Sequence, residues 1–238
     1  MKTPVYDYEE RIPAGYYDEI FRRGAGVRYS WHELKFRAVA AHLAQTKKLL
    51  DIGCGPGTFV GNYAGDTEAL GIDSSALQID YACRHYGTRH HRFSTQSVAN
   101  LIEAGECFDT ITMIELIEHL APEEATQLLA QSRQLLSSDG MLIVTTPNYA
   151  SLWPVIEMGV NLVSRVSYEA QHINKYRRGR LVRHLKDAGF GRVTVRTAVG
   201  LAPFAAVFGA KPAQWLQALE AATRNLGCGN LLLAVARS

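Results

Sequence analysis

Residues Leu49 to Thr58 read LLDIGCGPGT: a hydrophobic run that ends in an acid, Asp51, and passes into a turn with glycines at Gly53, Gly55 and Gly57. A short apolar run closed by glycines reads as a buried strand. Glycine has no side chain, so the backbone there can take positive φ and approach a bound molecule closely. In an open α/β sheet such a turn stands at the carboxyl edge of its strand, where ligands bind. The sequence therefore predicts a ligand at this turn. A second acid ends the next apolar run, EALGIDSS, and places Asp73 22 residues after Asp51. An acid at that position suits a pair of ribose hydroxyls.

With these two signals the chain resembles the class I S-adenosylmethionine-dependent methyltransferases, whose first motif reads roughly V-L-D-x-G-C-G-x-G and whose second strand ends in an acid. The resemblance implies that S-adenosylmethionine lies along Asp51, Gly53, Cys54, Gly55 and Gly57 and against Asp73 and Ser74. A nicotinamide-binding turn prefers G-x-G-x-x-G opening directly into its helix. Here the glycines alternate, and Val60 occupies the place of the last fingerprint glycine. A nicotinamide oxidoreductase therefore ranks last.

The chain has 238 residues, 47% of them hydrophobic, enough for one good core and without a compositional break into two large units. A single domain spanning 1–238 is expected, with an N-terminal helical arm over 1–45 and a catalytic core over 46–238. The net charge of +2, from 25 basic and 23 acidic side chains, carries no global sign of nucleic-acid binding. Cysteines at 54, 83, 107 and 228 show no C-x-x-C pair and read as reduced thiols. The opening MKTPVYDYEE is polar where a secretory leader would be apolar, which points to the cytoplasm. No run approaches the roughly 20 apolar residues needed to span a bilayer. The nearest, Ala198 to Ala210, is 13 long and broken by Pro203, and reads as core rather than as a lipid-facing surface.

Apolar residues Trp31, Leu34, Ala38 and Leu43 recur at helical spacing and predict a helix over 30–44. The arm carries Tyr6, Tyr8, Tyr16, Tyr17 and Tyr29 beside Arg28 and Arg37, a composition suited to a lid that stacks on and hydrogen-bonds small molecules. Strand and helix signals then alternate: strands at 48–52, 69–72, 108–114 and 141–145, with helices from Thr58, near 77–85 and over 123–136. That rhythm makes a parallel sheet. A helix at 180–188 stopped by Gly189, a strand at 192–197, a helix at 211–224 and a last strand at 230–235 complete the pattern. The resemblance implies a Rossmann-like, seven-stranded, mostly parallel sheet with helices on both faces and an antiparallel last strand. It also implies that the arm and the excursion over 149–178 cover the site and select the acceptor.

The run FDTITMIELIEHL places Glu115, Glu118 and His119 after the fourth strand, and spacings of three and four would put them on one face if the chain turns helical there. The resemblance makes this the turn beside the transferred methyl, with Ile114 and Glu115 bordering the cofactor and His119 facing the acceptor. A neutral imidazole near pH 7 suits removal of a hydroxyl proton, so His119 is the candidate base, with Glu118 beside it. His172, in AQHINKY, joins them as an acceptor-lining candidate. The E-x-x-E-H string resembles the quinol O-methyltransferases of ubiquinone biosynthesis and the small-RNA 3′-end methyltransferases. In those families similar groups hold a divalent ion, which here would fall to Glu115, Glu118, His119 and His172. Ligand types alone do not establish a geometry, so the metal-free reading is preferred.

Where the family often has an acid for the adenine amino group, this chain reads RFSTQSVANLI, leaving Gln96, Ser97 and the backbone at Val98 as candidate adenine contacts. By analogy with family members whose preceding helix supplies an arginine to the cofactor carboxylate, Arg37 is the candidate for that role. The basic stretch from Lys175 to Lys186 reads first as a solvated face and second as a site for an anionic acceptor. Apolar residues of the excursion, Leu152, Trp153, Val155, Ile156, Val160, Leu162 and Val163, point only to a partly apolar pocket, which leaves isoprenoid quinols, lipids, glycolipids and aromatic metabolites open as acceptors. The expected function is methyl transfer from S-adenosylmethionine to a small molecule, at a hydroxyl oxygen. A small-RNA 3′-end 2′-O-methyltransferase using a divalent metal is the first alternative. A protein that binds S-adenosylmethionine without catalysis is the second.

Overall fold

The computed structural model describes residues 12–156, 172–205, 215–216 and 229–238. Seven strands form one sheet: β1 (Lys48–Ile52), β2 (Glu68–Ile72), β3 (His91–Ser94), β4 (Phe108–Ile114), β5 (Leu136–Pro147), β6 (Arg192–Ala198) and β7 (Leu231–Arg237). Their order is β3-β2-β1-β4-β5-β7-β6. β1 runs parallel to β2 and β4, while β7 slots antiparallel between β5 and β6, as expected.

The helices are α1 (Tyr16–Arg22), α2 (Val27–Ala40), α3 (Thr58–Tyr63), α4 (Ala76–Tyr86), α5 (Val98–Glu103), α6 (Pro122–Gln134), α7 (Arg178–Asp187) and the short α8 (Ala202–Ala205). Successive side chains of a strand face opposite ways, so neighbours such as Leu49 and Leu50 feed different cores. Leu49, Ala69 and Ile143 pack with Phe36 and Val39 of α2, Phe59 of α3 and Ile79 of α4. Leu50, Leu70 and Leu142 pack with Leu101 of α5, Leu129 of α6 and Leu181 of α7. Helices therefore cover both faces, and near-continuous apolar strands are what such double burial requires.

Three sequence expectations change. β3 and α5 were not foreseen, because HRFS is four residues with only two buried, too short for a periodic signal. The arm helix lies at 27–40 rather than 30–44, and its buried residues are Trp31, Lys35, Phe36 and Val39 rather than Leu34 and Ala38. The chain does not turn helical from Glu115, which has φ 52, and only Ile117–His119 form a single 3-10 turn.

The helix expected at 211–224 lies outside the described residues except 215–216, which are helical. Tyr6, Tyr8, Val160, Leu162, Val163 and Cys228 also lie outside them. Cys54, Cys83 and Cys107 are free thiols. Among the described residues no helix is long and apolar enough to cross a membrane.

Candidate functional site

A cavity of about 780 Å³ opens at the carboxyl edge of the parallel strands. The β1 turn forms its floor. Gly53 has φ 73, and a Cβ there would stand 2.8 Å from Leu116, so only glycine fits. Gly55 has φ 50, and a Cβ there would meet nothing within 4 Å: this backbone faces open space. Gly57 has φ 77 and serves instead as the N-cap of α3, wedged against Phe93 and Ala82, and does not line the cavity.

Asp73, at the end of β2, accepts the Gly55 N–H on Oδ2 and the Ser75 N–H on Oδ1, both at 2.9 Å. These bonds tie the two strand-end loops together. Asp51 is buried and accepts from the Thr112 hydroxyl at 2.6 Å. Burial pushes its carboxyl up to about 7, with the charge of Asp73 adding to the rise. Asp51, Gly53, Cys54, Gly55, Asp73 and Ser74 all line the cavity, as do Ile114 and Glu115.

The far wall comes from the ends of β4 and β5. The 3-10 turn after β4 carries Glu118, fully buried, and His119, half-buried. His172 is brought against them from the chain that follows β5, held in part by Asn174, whose N–H donates to the Glu118 carbonyl at 2.9 Å. One ligand atom from each of Glu118, His119 and His172 falls within 4.8 Å of the others, and the two imidazoles lie 5.1 Å apart. Tyr149 shares a 2.8 Å hydrogen bond with Nδ1 of His172. Among the described residues, neither carboxylate oxygen of Glu118 has a hydrogen-bond partner. Burial drives this acid well above the usual carboxylate range, and the charge of Glu115 adds to the effect.

Glu115 does not join that cluster. Its left-handed backbone turns the side chain toward α2, where Lys35 makes an ion pair with it and Trp31 Nε1 donates to it at 3.2 Å. Burial raises this carboxyl, but Lys35 more than offsets it and holds Glu115 below its usual range.

Besides Gly57, four sequence candidates fall outside the cavity lining. Arg37 points outward, 69% exposed, and is paired with Glu33 one turn earlier. Ser97 is the N-cap of α5, in a capping box with Asn100. Val98 is buried in the core, and Gln96 is exposed with its N–H on the Ser94 hydroxyl. A helix start after a short strand needs its orphan N–H groups capped, and that need explains SxxN here.

The arm supplies three residues that the sequence does not assign to the site, Trp31, His32 and Lys35, together with Arg28 of the expected lid. Arg28, Trp31, His32 and Lys35 of α2 line the cavity, spaced by three and four. That repeat of polar groups on one helix face was the available signal, and it lies about one residue out of phase with the apolar pattern that was followed. Burial, with the Lys35 charge beside it, drops His32 to about 3 and keeps it neutral. Trp31 also packs against Trp153, ring centres 4.9 Å apart and planes tilted by 35°, closing the arm onto the segment after β5.

The arm is fastened by a buried carboxylate. Asp18 of α1 accepts hydrogen bonds from Thr58 of α3 at 2.9 Å and from Tyr81 and Tyr86 of α4 at 2.9 and 2.5 Å. The basic residues Lys175, Arg177, Arg178, Arg183 and Lys186 are exposed.

A family model described as a methyltransferase domain matches residues 25–195. A ubiquinone biosynthesis O-methyltransferase from Glaesserella parasuis is 30% identical over 135 residues, covering 53% of this chain and 56% of that protein. The chain thus matches little more than half the length of that relative. Among solved structures, an S-adenosylmethionine-dependent methyltransferase from Thermotoga maritima superposes with a TM-score of 0.64 at 16% identity, covering 93% of both chains. The magnesium protoporphyrin IX methyltransferase from Synechocystis, solved with S-adenosylhomocysteine, gives 0.58 at 18% identity, covering 89% of this chain and 85% of that one. At these identities the structural likenesses speak to the fold.

Proposed function

This chain belongs to the class I S-adenosylmethionine-dependent methyltransferases, and on that premise we propose that it methylates a hydroxyl oxygen of a small, partly apolar acceptor in the cytoplasm, with His119 as the base. One observation carries the reading: the glycine turn with Asp73 and the Glu118, His119, His172 cluster face one cavity. The cofactor lies along Asp51 to Gly55, its ribose hydroxyls on Asp73, whose carboxylate is already aimed by two backbone N–H groups. Arg28, on the cavity side of α2, replaces Arg37 as the arginine for the cofactor carboxylate.

The chemistry is an in-line displacement. The acceptor oxygen forms the new bond to the methyl carbon, the carbon–sulfur bond breaks, and S-adenosylhomocysteine leaves as a neutral thioether. Cavity walls contribute by holding the two partners in line and excluding water, and His119 by taking the hydroxyl proton on its imidazole. Trp153, Ile156 and Phe204 line the acceptor side, and Leu152, Val155 and Ile173 stand exposed near it, which supports an acceptor with apolar surface.

The orphaned Glu118 carboxylate favours a second reading, in which Glu118, His119 and His172 hold a divalent cation. Two imidazoles and an unpartnered buried carboxylate fit such an ion. When bound, it would supply Lewis-acid activation of the acceptor hydroxyl. The RNA 3′-end alternative would use the same set.

The test is methyl transfer from radiolabelled S-adenosylmethionine to a panel of phenolic, aliphatic-hydroxyl and RNA 3′-end acceptors, with wild type and His119→Ala. The expected result is a methyl ether on a small hydroxyl compound, a kcat at least about a hundredfold lower in the variant, and unchanged S-adenosylhomocysteine affinity. Methylation of RNA alone supports the alternative. Cofactor binding with no transfer to any acceptor would leave a cofactor-binding protein without catalysis.

A further inference from the structure

The sequence string offers two carboxylates and two histidines to a cation, yet the fold delivers only one of the carboxylates. Glu115 and Glu118 are three residues apart and part company at the φ of 52 on Glu115. The first carboxylate is drawn to Lys35 and Trp31 on α2, and the second is buried with His119 and His172. Lys35 is itself only 4% exposed, so pulling Glu115 away would strand a buried ammonium. The pair is therefore a lock on the side chain that the resemblance would have counted as a ligand.

We propose that Lys35 withholds Glu115 from the cluster, so that this chain holds a divalent cation by one carboxylate and two imidazoles and prefers a nitrogen-seeking ion such as Zn²⁺ or Co²⁺ over Mg²⁺. This rests on the second reading above. Glu118, His119 and His172, all lining the cavity, would hold such an ion with a single acid, and the ion would supply Lewis-acid activation of an acceptor oxygen there. Imidazole ligands suit zinc, cobalt and iron, whereas Mg²⁺ asks for oxygen donors and dehydrates reluctantly. The Tyr149 hydroxyl, on Nδ1 of His172, fixes that ring's orientation as an outer-shell partner does in metal sites.

The experiment is calorimetric titration of the full chain with Co²⁺, Zn²⁺ and Mg²⁺ separately, with the visible absorption of the cobalt form recorded alongside. The wild type is compared with Glu118→Gln, His172→Ala, Glu115→Gln and Tyr149→Phe, each checked for fold by circular dichroism and for S-adenosylhomocysteine binding. Co²⁺ and Zn²⁺ are expected to bind at least about a hundredfold more tightly than Mg²⁺. Glu118→Gln and His172→Ala should abolish the cobalt bands. Tyr149→Phe should weaken binding about tenfold or more, and Glu115→Gln should stay within about twofold of wild type. Glu115→Gln losing as much affinity as Glu118→Gln would overturn the proposal, as would Mg²⁺ binding equal to Co²⁺. A folded chain that binds S-adenosylhomocysteine but none of the three ions would refute it too, leaving the methyltransferase reading intact. Failure to bind S-adenosylhomocysteine would instead count against that reading.

Discussion

Replacing Asp18 with alanine should release α1 from α3 and α4. Asp18 is fully buried and receives three hydroxyl donors, at 2.9, 2.9 and 2.5 Å, from helices that begin 40 and 58 residues further along the chain. A hydrogen bond to a charged group contributes about 1.5–3 kcal/mol. Tyr81 and Tyr86 are only half-buried, so the low end applies, and three such bonds give about 4 kcal/mol. At about 1.4 kcal/mol per decade, docking of α1 should weaken by roughly a thousandfold. α2 keeps its own anchor in the core through Phe36 and Val39, so the loss should be local to α1 rather than global.

Hydrogen exchange by mass spectrometry reads this directly: protection at the Glu19 and Arg23 amides, which bond to the Gly15 and Glu19 carbonyls, should fall by two to three decades. S-adenosylhomocysteine affinity should fall with it, because Tyr17 and Ile20 of α1 line the cavity and an undocked arm lowers the binding-competent fraction. Asp18→Asn, which keeps the shape but turns a donor toward the hydroxyls, should lose roughly half as much. If α1 protection in Asp18→Ala stays within about threefold of wild type, the carboxylate is not the fastening and the reasoning fails.

Asp51 sets a pH dependence. Its carboxyl is raised from 3.8 to about 7, so the folded protein retains a proton that the unfolded chain has released. That contribution is full below about pH 4 and is lost as pH rises to about 7, at about 1.4 kcal/mol per unit. Urea unfolding of ligand-free protein from pH 4.5 to 8 should therefore show a fall that is shallower in Asp51→Asn, by up to about 4 kcal/mol over the window. Parallel curves would contradict it. Lys35→Met strands the Glu115 carboxylate and should destabilise by about 3–5 kcal/mol, and Lys35→Met with Glu115→Gln should recover most of that in the same urea assay. Asp73→Ala should weaken S-adenosylhomocysteine by about a hundredfold in calorimetry, the worth of two charge-assisted ribose bonds. An unchanged Kd would remove Asp73 from the cofactor site.

The legible part of this protein is local. The glycine turn announces itself because positive φ at Gly53, Gly55 and Gly57 demands a residue without Cβ, and strands buried on both faces must be apolar along their length. β3 gives no sequence signal because four residues with an exposed arginine carry no period, and the polar residues around Ser97, which suggest a ligand contact, cap a helix instead. In α2 the apolar residues suggested one face and the structure buries another, since Lys35 is satisfied by an acid that the helix sequence cannot show.

By itself, then, the sequence determined the βαβ order, the glycine turn, the acid that follows it and the string of groups after β4. Each depends on backbone conformation or on neighbours within a turn or two. The tertiary structure decided which of those groups meet. Lys35 and Glu115 stand 80 residues apart, and His172 reaches Glu118 only after the chain has passed through α6 and β5. Whether a carboxylate becomes an ion-pair partner or stands unpartnered beside two imidazoles is settled by what packs against it, and that is a property of the folded chain alone.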